Sequence, residues 1–299
     1  MGNLRYLVLA GPTAVGKTDL AIRIAQNLKT EIVGADAFQI YQGLNLLTGK
    51  PTSSQLKAIH HHLVAVLPLT ELCDAHKYAL LARQTITALN QRGITPLVVG
   101  GTGFYLQALQ EGLPPLPPAD FELRTELNRL STEDLLRELT TRDTMASIRI
   151  DRSNRRRIIR ALEVCLLSGK PFSSFLEKTD PDPAIACITL EESRAVLITK
   201  ISRRVDAMFE QGVVAEVAAV EAVGSTASRA IGFQLIRSLL AGDIDFSTCS
   251  EAIKQQTRNY AKRQMTWFRR LPYQLVPADS SVDFVIATFR RQIQGLEAD

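Results

Sequence analysis

Eight residues near the start of the chain have the types and spacing to hold a polyphosphate. Gly11-Pro12-Thr13-Ala14-Val15-Gly16-Lys17-Thr18 fits the pattern G-x-x-x-x-G-K-[ST] of a phosphate-binding loop. Its glycines let backbone N–H groups close around phosphate oxygens at the positive end of a helix. Lys17 adds a mobile cation, and the Thr18 hydroxyl can hold a magnesium ion. A transfer reaction also needs an activated nucleophile, and Asp36 is the candidate general base. The same carboxylate could instead cap a helix or stand behind a magnesium ion. Thr102, in Gly100-Gly101-Thr102-Gly103, offers a hydroxyl where glycines permit close backbone approach; a tight turn is the alternative reading.

These residues need a frame. The apolar run Tyr6-Leu7-Val8-Leu9-Ala10 before the loop reads as a buried strand, and Asp19 to Ala25 after it has helical spacing. Strands are predicted at 4–10, 31–35 and 95–99, with a helix over Lys77 to Gln91 closed by Gly93. This alternation predicts an α/β domain with a parallel sheet, and in such sheets ligands sit at the carboxyl ends of strands. The phosphate loop, Asp36 to Gln39, and Gly100 to Gly103 all fall at such ends. No predicted strand before the Gly-Gly-Thr-Gly turn ends in an aspartate, so the usual second magnesium ligand of ATPases is not evident.

Gly112 to Pro118 is a proline-rich break. Beyond it, Phe121 to Ser168 reads as helical and highly charged, ending at Gly169-Lys170-Pro171, and Asp180-Pro181-Asp182-Pro183 marks another loop. Ala184 to Leu190 reads as a returning strand, followed by helices over 194–222, 229–241, 247–270 and 281–296. The expected organisation is therefore a P-loop α/β core made of residues 1–118 and 179–299, interrupted by a small helical insertion at 119–178.

Hydrophobic residues make up 45% of the 299, enough for a full core, and no apolar run is long enough to span a bilayer. The start of the chain lacks a signal-peptide pattern, which points to the cytoplasm. Cys73, Cys165, Cys187 and Cys249 are too scattered for a zinc ribbon or a disulfide framework. His60, His61 and His62 are adjacent, so neighbouring rings should point apart and fail to share one metal; a structural role at a turn is expected. The net charge of +4 identifies no partner by itself. Its distribution says more. Arg152, Arg155, Arg156, Arg157 and Arg160 form one cluster, and Arg258, Lys262, Arg263, Arg269 and Arg270 form another, interleaved with Tyr260, Trp267 and Phe268. Each alone fits a solvated helix face, but together they point to a polyanion.

Further motifs follow in a fixed order: Ala35-Asp36 with Gln39-Ile40-Tyr41, Thr48 with Lys50-Pro51-Thr52, and His61-His62-Leu63. Val99 to Tyr105, Arg156 to Val164, Arg204 to Phe209 and Ala230 to Phe233 come next, and Thr257 to Arg269 closes the series. In this order they resemble the bacterial tRNA dimethylallyltransferases, also called tRNA isopentenyltransferases, nearly end to end. The resemblance implies a P-loop NTPase-like fold whose loop, Gly11, Pro12, Thr13, Ala14, Val15, Gly16, Lys17 and Thr18, holds the diphosphate of dimethylallyl diphosphate instead of ATP. The acceptor it implies is N6 of adenosine 37, immediately 3′ of the anticodon in tRNAs reading codons that begin with U, flipped out of the anticodon stem-loop. By the same resemblance Asp36 is the general base, Thr102 touches the target nucleotide, Arg204 joins Lys17 on the diphosphate, and Mg²⁺ is held through Thr18. Contacts to tRNA are implied for Asp36, Ala37, Phe38 and Gln39, for Thr102 and Arg124, for Arg156, Arg157, Ile158, Ile159 and Arg160, and for Arg229, Ala230, Ile231, Gly232, Phe233 and Gln234. A cytoplasmic monomer is expected.

The chain departs from the family pattern at Gln42, Asn45 and Leu47, at Asp151-Arg152-Ser153-Asn154, and at Phe233. These changes spare the proposed diphosphate and base residues. At this level two other enzymes stay open, a prenyltransferase acting on a free adenine nucleotide and a P-loop small-molecule kinase, as does a non-catalytic nucleic-acid-binding protein.

Overall fold

The structure, a computed structural model, describes residues 4–176 and 184–296. Asp180 to Pro183, read from the sequence as a loop, lie outside the described residues. The chain divides into two compact units, one of Met1–Gln110 with Asp182–Asp299, the other of Glu111–Pro181.

The first unit is built on a six-stranded parallel sheet. Its strands are β1 (Leu7–Ala10), β2 (Ile32–Ala35), β3 (His61–His62), β4 (Leu97–Gly100), β5 (Ala186–Glu191) and β6 (Gln274–Pro277), in the spatial order β3-β2-β4-β1-β5-β6. All five pairings are parallel. The expected parallel α/β core is thus present. The strands are shorter than the sequence suggested, and β3 and β6 escaped notice: one is two residues long, and the other, exposed-exposed-buried-exposed, has no apolar run to announce it.

Strand β1 is buried on both faces, as a central parallel strand must be, which is why its sequence is uninterrupted apolar. Leu7, Leu9, Ile32, Ile188 and Leu190 share one core with Leu20 and Ile24 of helix Lys17–Leu28 and Phe289 of helix Val282–Leu296. A second core joins Leu44 and Leu47 to Val205, Met208, Val217, Phe233, Ile236 and Ile253, which come from the helices Arg194–Glu210, Val213–Ala218, Phe233–Ala241 and Phe246–Phe268. Side-chain caps start these elements where the sequence supplies them: Ser193 accepts from Val196 N–H, and Asp245 from Thr248 N–H.

The second unit is helical, with Phe121–Leu127, Thr132–Arg142, Thr144–Arg149 and Arg155–Ser168 packed around Leu135, Leu139, Ile158 and Leu162. Residues 112–120 have no regular structure, as expected of a proline-rich run. Gly169, at φ 67°, closes the last helix in the left-handed conformation that glycine adopts without strain.

Candidate active site

Three neighbouring strands of the first unit, β2, β4 and β1, deliver the three polar motifs. Gly100 pairs with both Ala10 and Ala35, so the phosphate loop, Asp36 and Thr102 leave the sheet at one level. The fit is tight: a Cβ at Gly100 would lie 2.0 Å from the Ala35 carbonyl oxygen. At Gly101 it would meet the Gln264 amide at 2.3 Å, and at Gly103 the Trp267 ring at 2.3 Å. The glycines of this turn are therefore there for close approach, with no positive φ among them.

The phosphate loop is already wrapped, with Ala14 at φ 63° and Gly16 at φ 101°. The Lys17 ammonium donates to the loop's own carbonyls, at 2.9 Å to Gly11 and 2.7 Å to Pro12. Arg204 reaches the same place from its helix, donating to Thr13 Oγ1 and to the Thr48 carbonyl, both at 3.1 Å. Burial lowers the Lys17 pKa to about 8, with Asp36 opposing the shift and Arg204 adding to it. Burial also lowers the pKa of Arg204, again against the pull of Asp36. Concentrated positive charge with few water contacts is an anion site. The Thr18 hydroxyl borders the same space and has no protein partner among the described residues, which suits it to a divalent cation.

Asp36 caps a turn where the sequence had left open a helix cap. Its Oδ1 accepts from Phe38 N–H at 2.9 Å and Gln39 N–H at 3.2 Å, which leaves Oδ2 for a ligand. Thr102 Oγ1 accepts from Ala37 N–H at 3.0 Å, so the two motifs hold each other. The Gln39 side chain in turn ties to the carbonyls of Thr48 and Gly49 at 3.2 and 2.9 Å. Tyr260 stands beside Thr102 and Gln264, its phenol pushed up to about 12 by burial and by the Asp36 carboxylate, and so stays a neutral hydrogen-bonding group.

Two cavities meet at these residues. The larger, about 400 Å³, is polar and is bordered by the phosphate loop, Lys50 and Lys200. The smaller, about 60 Å³, is lined mainly by apolar side chains, among them Phe38, Leu47, Met208, Ile231 and Ile253. Thr13, Asp36, Thr48 and Arg204 line both. A polar chamber and an apolar one sharing a wall that carries a carboxylate and a guanidinium suit an amphiphilic ligand with an anionic end.

The residues proposed to touch RNA divide by exposure. Arg156 and Arg157 are exposed on their helix, whereas Ile158 and Ile159 are core, 0% and 6% exposed. Arg124 and Arg160 both clamp Glu163, a fully buried carboxylate, at 2.8 and 2.5 Å. Arg155 donates to Thr132 and to three carbonyls, of Leu127, Asn128 and Leu130. Arg156 and Arg157 thus face solvent, while Ile158, Ile159 and the Glu163-paired arginines also build the helical unit. Within 229–234, Arg229 and Gln234 are exposed, Ile231 lines the apolar cavity, and Ala230 and Phe233 are packed inside; Gly232, at φ 92°, starts a helix.

A family model described as IPP transferase matches residues 39–271. The chain belongs to this family. Among curated relatives, tRNA dimethylallyltransferase 1 of Trichlorobacter lovleyi is 41% identical, with 90% of this chain and 92% of that protein covered. The protein of the same name from Citrifermentans bemidjiense is 38% identical, with 89% of each covered. A solved tRNA isopentenylpyrophosphate transferase from Bacillus halodurans superposes with a TM-score of 0.71 at 28% identity, covering 99% of this chain and 100% of that one. A eukaryotic dimethylallyltransferase acting on tRNA gives 0.79 at 25% identity, covering 92% and 74%. The P-loop NTPase-like fold expected from the sequence is the fold of these transferases.

Several members of this IPP transferase site had no role assigned from sequence. Gln264 accepts from Thr13 N–H and donates to the Gly101 carbonyl, bridging the phosphate loop to the Thr102 turn. Glu216 accepts from Leu46 and Leu47 N–H, each at 2.9 Å, and so caps the short helix Asn45–Thr48 whose last carbonyl holds Arg204. Lys50 donates to the Gly43 carbonyl and to Asn45 Oδ1, and burial lowers its pKa to about 8 against the pull of Glu216 and Asp36. Lys50 stood in a matched motif, but only its place on the polar cavity gives it a purpose.

Proposed function

We propose that this chain transfers the dimethylallyl group of dimethylallyl diphosphate to N6 of adenosine 37 in tRNAs that read codons beginning with U. The observation that carries the reading is the wall shared by the two cavities, where Asp36 stands beside Arg204. The N6 lone pair attacks the allylic C1, the C1–O bond breaks, and its electron pair leaves with diphosphate. The N6 proton passes to Asp36 Oδ2, the oxygen not committed to the turn. Loop amides, Lys17 and Arg204 receive the growing charge on diphosphate, with Lys50 at the rim. Thr102, fixed by Ala37 N–H, and Tyr260 orient the base.

A divalent cation held at Thr18, which we assign as Mg²⁺, would add charge neutralisation on the diphosphate. The anticodon stem-loop is the RNA element we expect to be bound, with Arg156 and Arg157 of the helical unit on its phosphates. The reading is of a monomer acting in the cytoplasm; among the described residues no helix is long and apolar enough to cross a membrane. Strand β4, beside β1, ends in Val99-Gly100 with no carboxylate, which disfavours the kinase alternative.

The test is direct: purified protein, anticodon stem-loop RNA and labelled dimethylallyl diphosphate, with and without ATP. Prenylated RNA is expected in both. An ATP-dependent phosphorylated product with no prenyl transfer overturns the reading.

A further inference from the structure

At the amino-end rim of the sheet, opposite the rim that carries the phosphate loop, lies a cluster that the reaction does not use. Strand pairing places it. Val33 pairs with His62, and Ile32 N–H donates to the His60 carbonyl at 3.0 Å, which holds the start of β3 against the start of β2. Side chains alternate along each strand, so Glu31 shares a face with Val33, and His60 shares one with His62. His61 turns the other way, its Nδ1 bonded to the Ile59 carbonyl at 2.8 Å. Adjacent histidines diverge as expected, and the alternation that turns His61 away brings His60 and His62, two residues apart, to one face.

The outcome is three donor side chains aimed at one point. Ligand atoms of Glu31, His60 and His62 all lie within 4.8 Å of one another. His62 Nε2 and Glu31 Oε2 are 2.6 Å apart, and the rings of His60 and His62 meet edge to face at 4.3 Å. The two atoms converge on the space where a cation would sit. Arg92 holds the other carboxylate oxygen, Oε1, at 2.7 Å, and so fixes the carboxylate with Oε2 turned to the histidines.

We propose that Glu31, His60 and His62 bind one divalent transition ion of the zinc class, with a fourth position left to water. Two imidazoles and a carboxylate are the donors such ions prefer, and magnesium, which favours oxygen ligands and its own water, is a poor match. Zn–N and Zn–O bonds of about 2.0–2.2 Å put ligand atoms roughly 3.4 Å apart in a tetrahedral shell, so side-chain movements of about an ångström suffice. The bound ion would fasten β3, a two-residue edge strand, onto β2.

The test uses the untagged full chain, stripped with EDTA and titrated with Zn²⁺, and with Co²⁺ for its visible absorption. One equivalent should bind, with a tetrahedral Co²⁺ spectrum, and Zn²⁺ at about a hundredfold excess over Kd should raise the melting temperature by several degrees. His60 is exposed and its ring makes no hydrogen bond among the described residues. His60→Ala should therefore leave the metal-free melting temperature and the Mg²⁺-supported prenyl transfer unchanged, while weakening Zn²⁺ binding by about tenfold or more. His62→Ala should abolish the Co²⁺ spectrum. Absence of a Zn²⁺ response in the wild-type protein, or the same affinity in wild type and His60→Ala, overturns the proposal.

Discussion

The Gln264 side-chain amide donates to the Gly101 carbonyl over 2.7 Å while its oxygen accepts from Thr13 N–H over 2.8 Å. One side chain from the longest helix thus sets the distance between the phosphate loop and the turn that carries Thr102.

Replacing Gln264 by Leu should therefore injure catalysis from outside the reacting atoms. The change nearly keeps the volume but leaves the buried Gly101 carbonyl without its donor, at a cost of about 1–3 kcal/mol, and frees the part-buried Thr13 N–H. Weaker diphosphate binding and slower turnover are expected together, in a protein whose far-ultraviolet circular dichroism is unchanged. Wild-type affinity for dimethylallyl diphosphate by calorimetry would show that the bridge does not position the loop.

Asp36 holds a turn and, in the proposed reaction, takes the N6 proton; two substitutions separate these roles. Asp36→Asn keeps an oxygen for Phe38 and Gln39 N–H but removes the base, so RNA and diphosphate should bind normally while the single-turnover rate falls by ~10²–10⁴-fold. Asp36→Ala removes the turn as well and should also loosen the nucleotide pocket. Equal single-turnover rates in wild type and Asp36→Asn would remove the carboxylate from proton transfer.

Lys17 and Lys50 both have pKa values lowered to about 8 in the ligand-free protein. Below that pH they are charged and, in the proposed reading, attract diphosphate; above it they lose the charge. Affinity should therefore fall as pH rises through 8. Binding above pH 8 should take up protons, because the bound anion restores the ammonium form. Calorimetry in buffers of differing ionisation enthalpy reads this uptake, and Lys50→Met should reduce it. A pH-independent affinity between 7 and 9 would contradict the assignment (both bounds lie about one unit from the lysine values).

The arginines of the helical unit should split into two phenotypes. Arg156→Glu with Arg157→Glu should flatten the salt dependence of stem-loop binding, since fewer phosphate contacts release fewer counterions. Glu163→Ala should instead destabilise the unit by about 1–3 kcal/mol, because it removes the buried acceptor of two part-exposed guanidinium groups and of Asp120 N–H. Faster hydrogen exchange within residues 111–176 would report that loss; an unchanged exchange pattern would mean that the pair contributes little.

The split between those arginines explains which parts of the molecule were legible in the sequence. A phosphate loop is local, and so are its flanking strand and helix; periodicity and spacing locate them. The Gly-Gly-Thr-Gly turn announced close approach, but only the fold says that Ala35, Gln264 and Trp267 are what approaches. Gln264, Glu216 and Lys50 act across long stretches of chain, and nothing in their immediate neighbours marks them. A run of arginines likewise looks uniform until burial divides it, because Glu163 reads as one more surface carboxylate of a helix. Strand β3 was invisible because two residues cannot show a period.

The order of the strands in the sheet also decides when the protein can form. Leu7 pairs on one side with Leu97 and on the other with Ala186, and the residues between those partners include the whole helical unit. As the chain leaves the ribosome, β1 can meet β4 early but must wait for β5, and β6 follows later still. The helical unit, whose core lies within its own stretch of sequence, can close in the interval. A half-finished sheet with an open β1 edge is the species most exposed to mispairing during synthesis, and rapid closure of the intervening helices shortens the span that β5 must search before it finds β1.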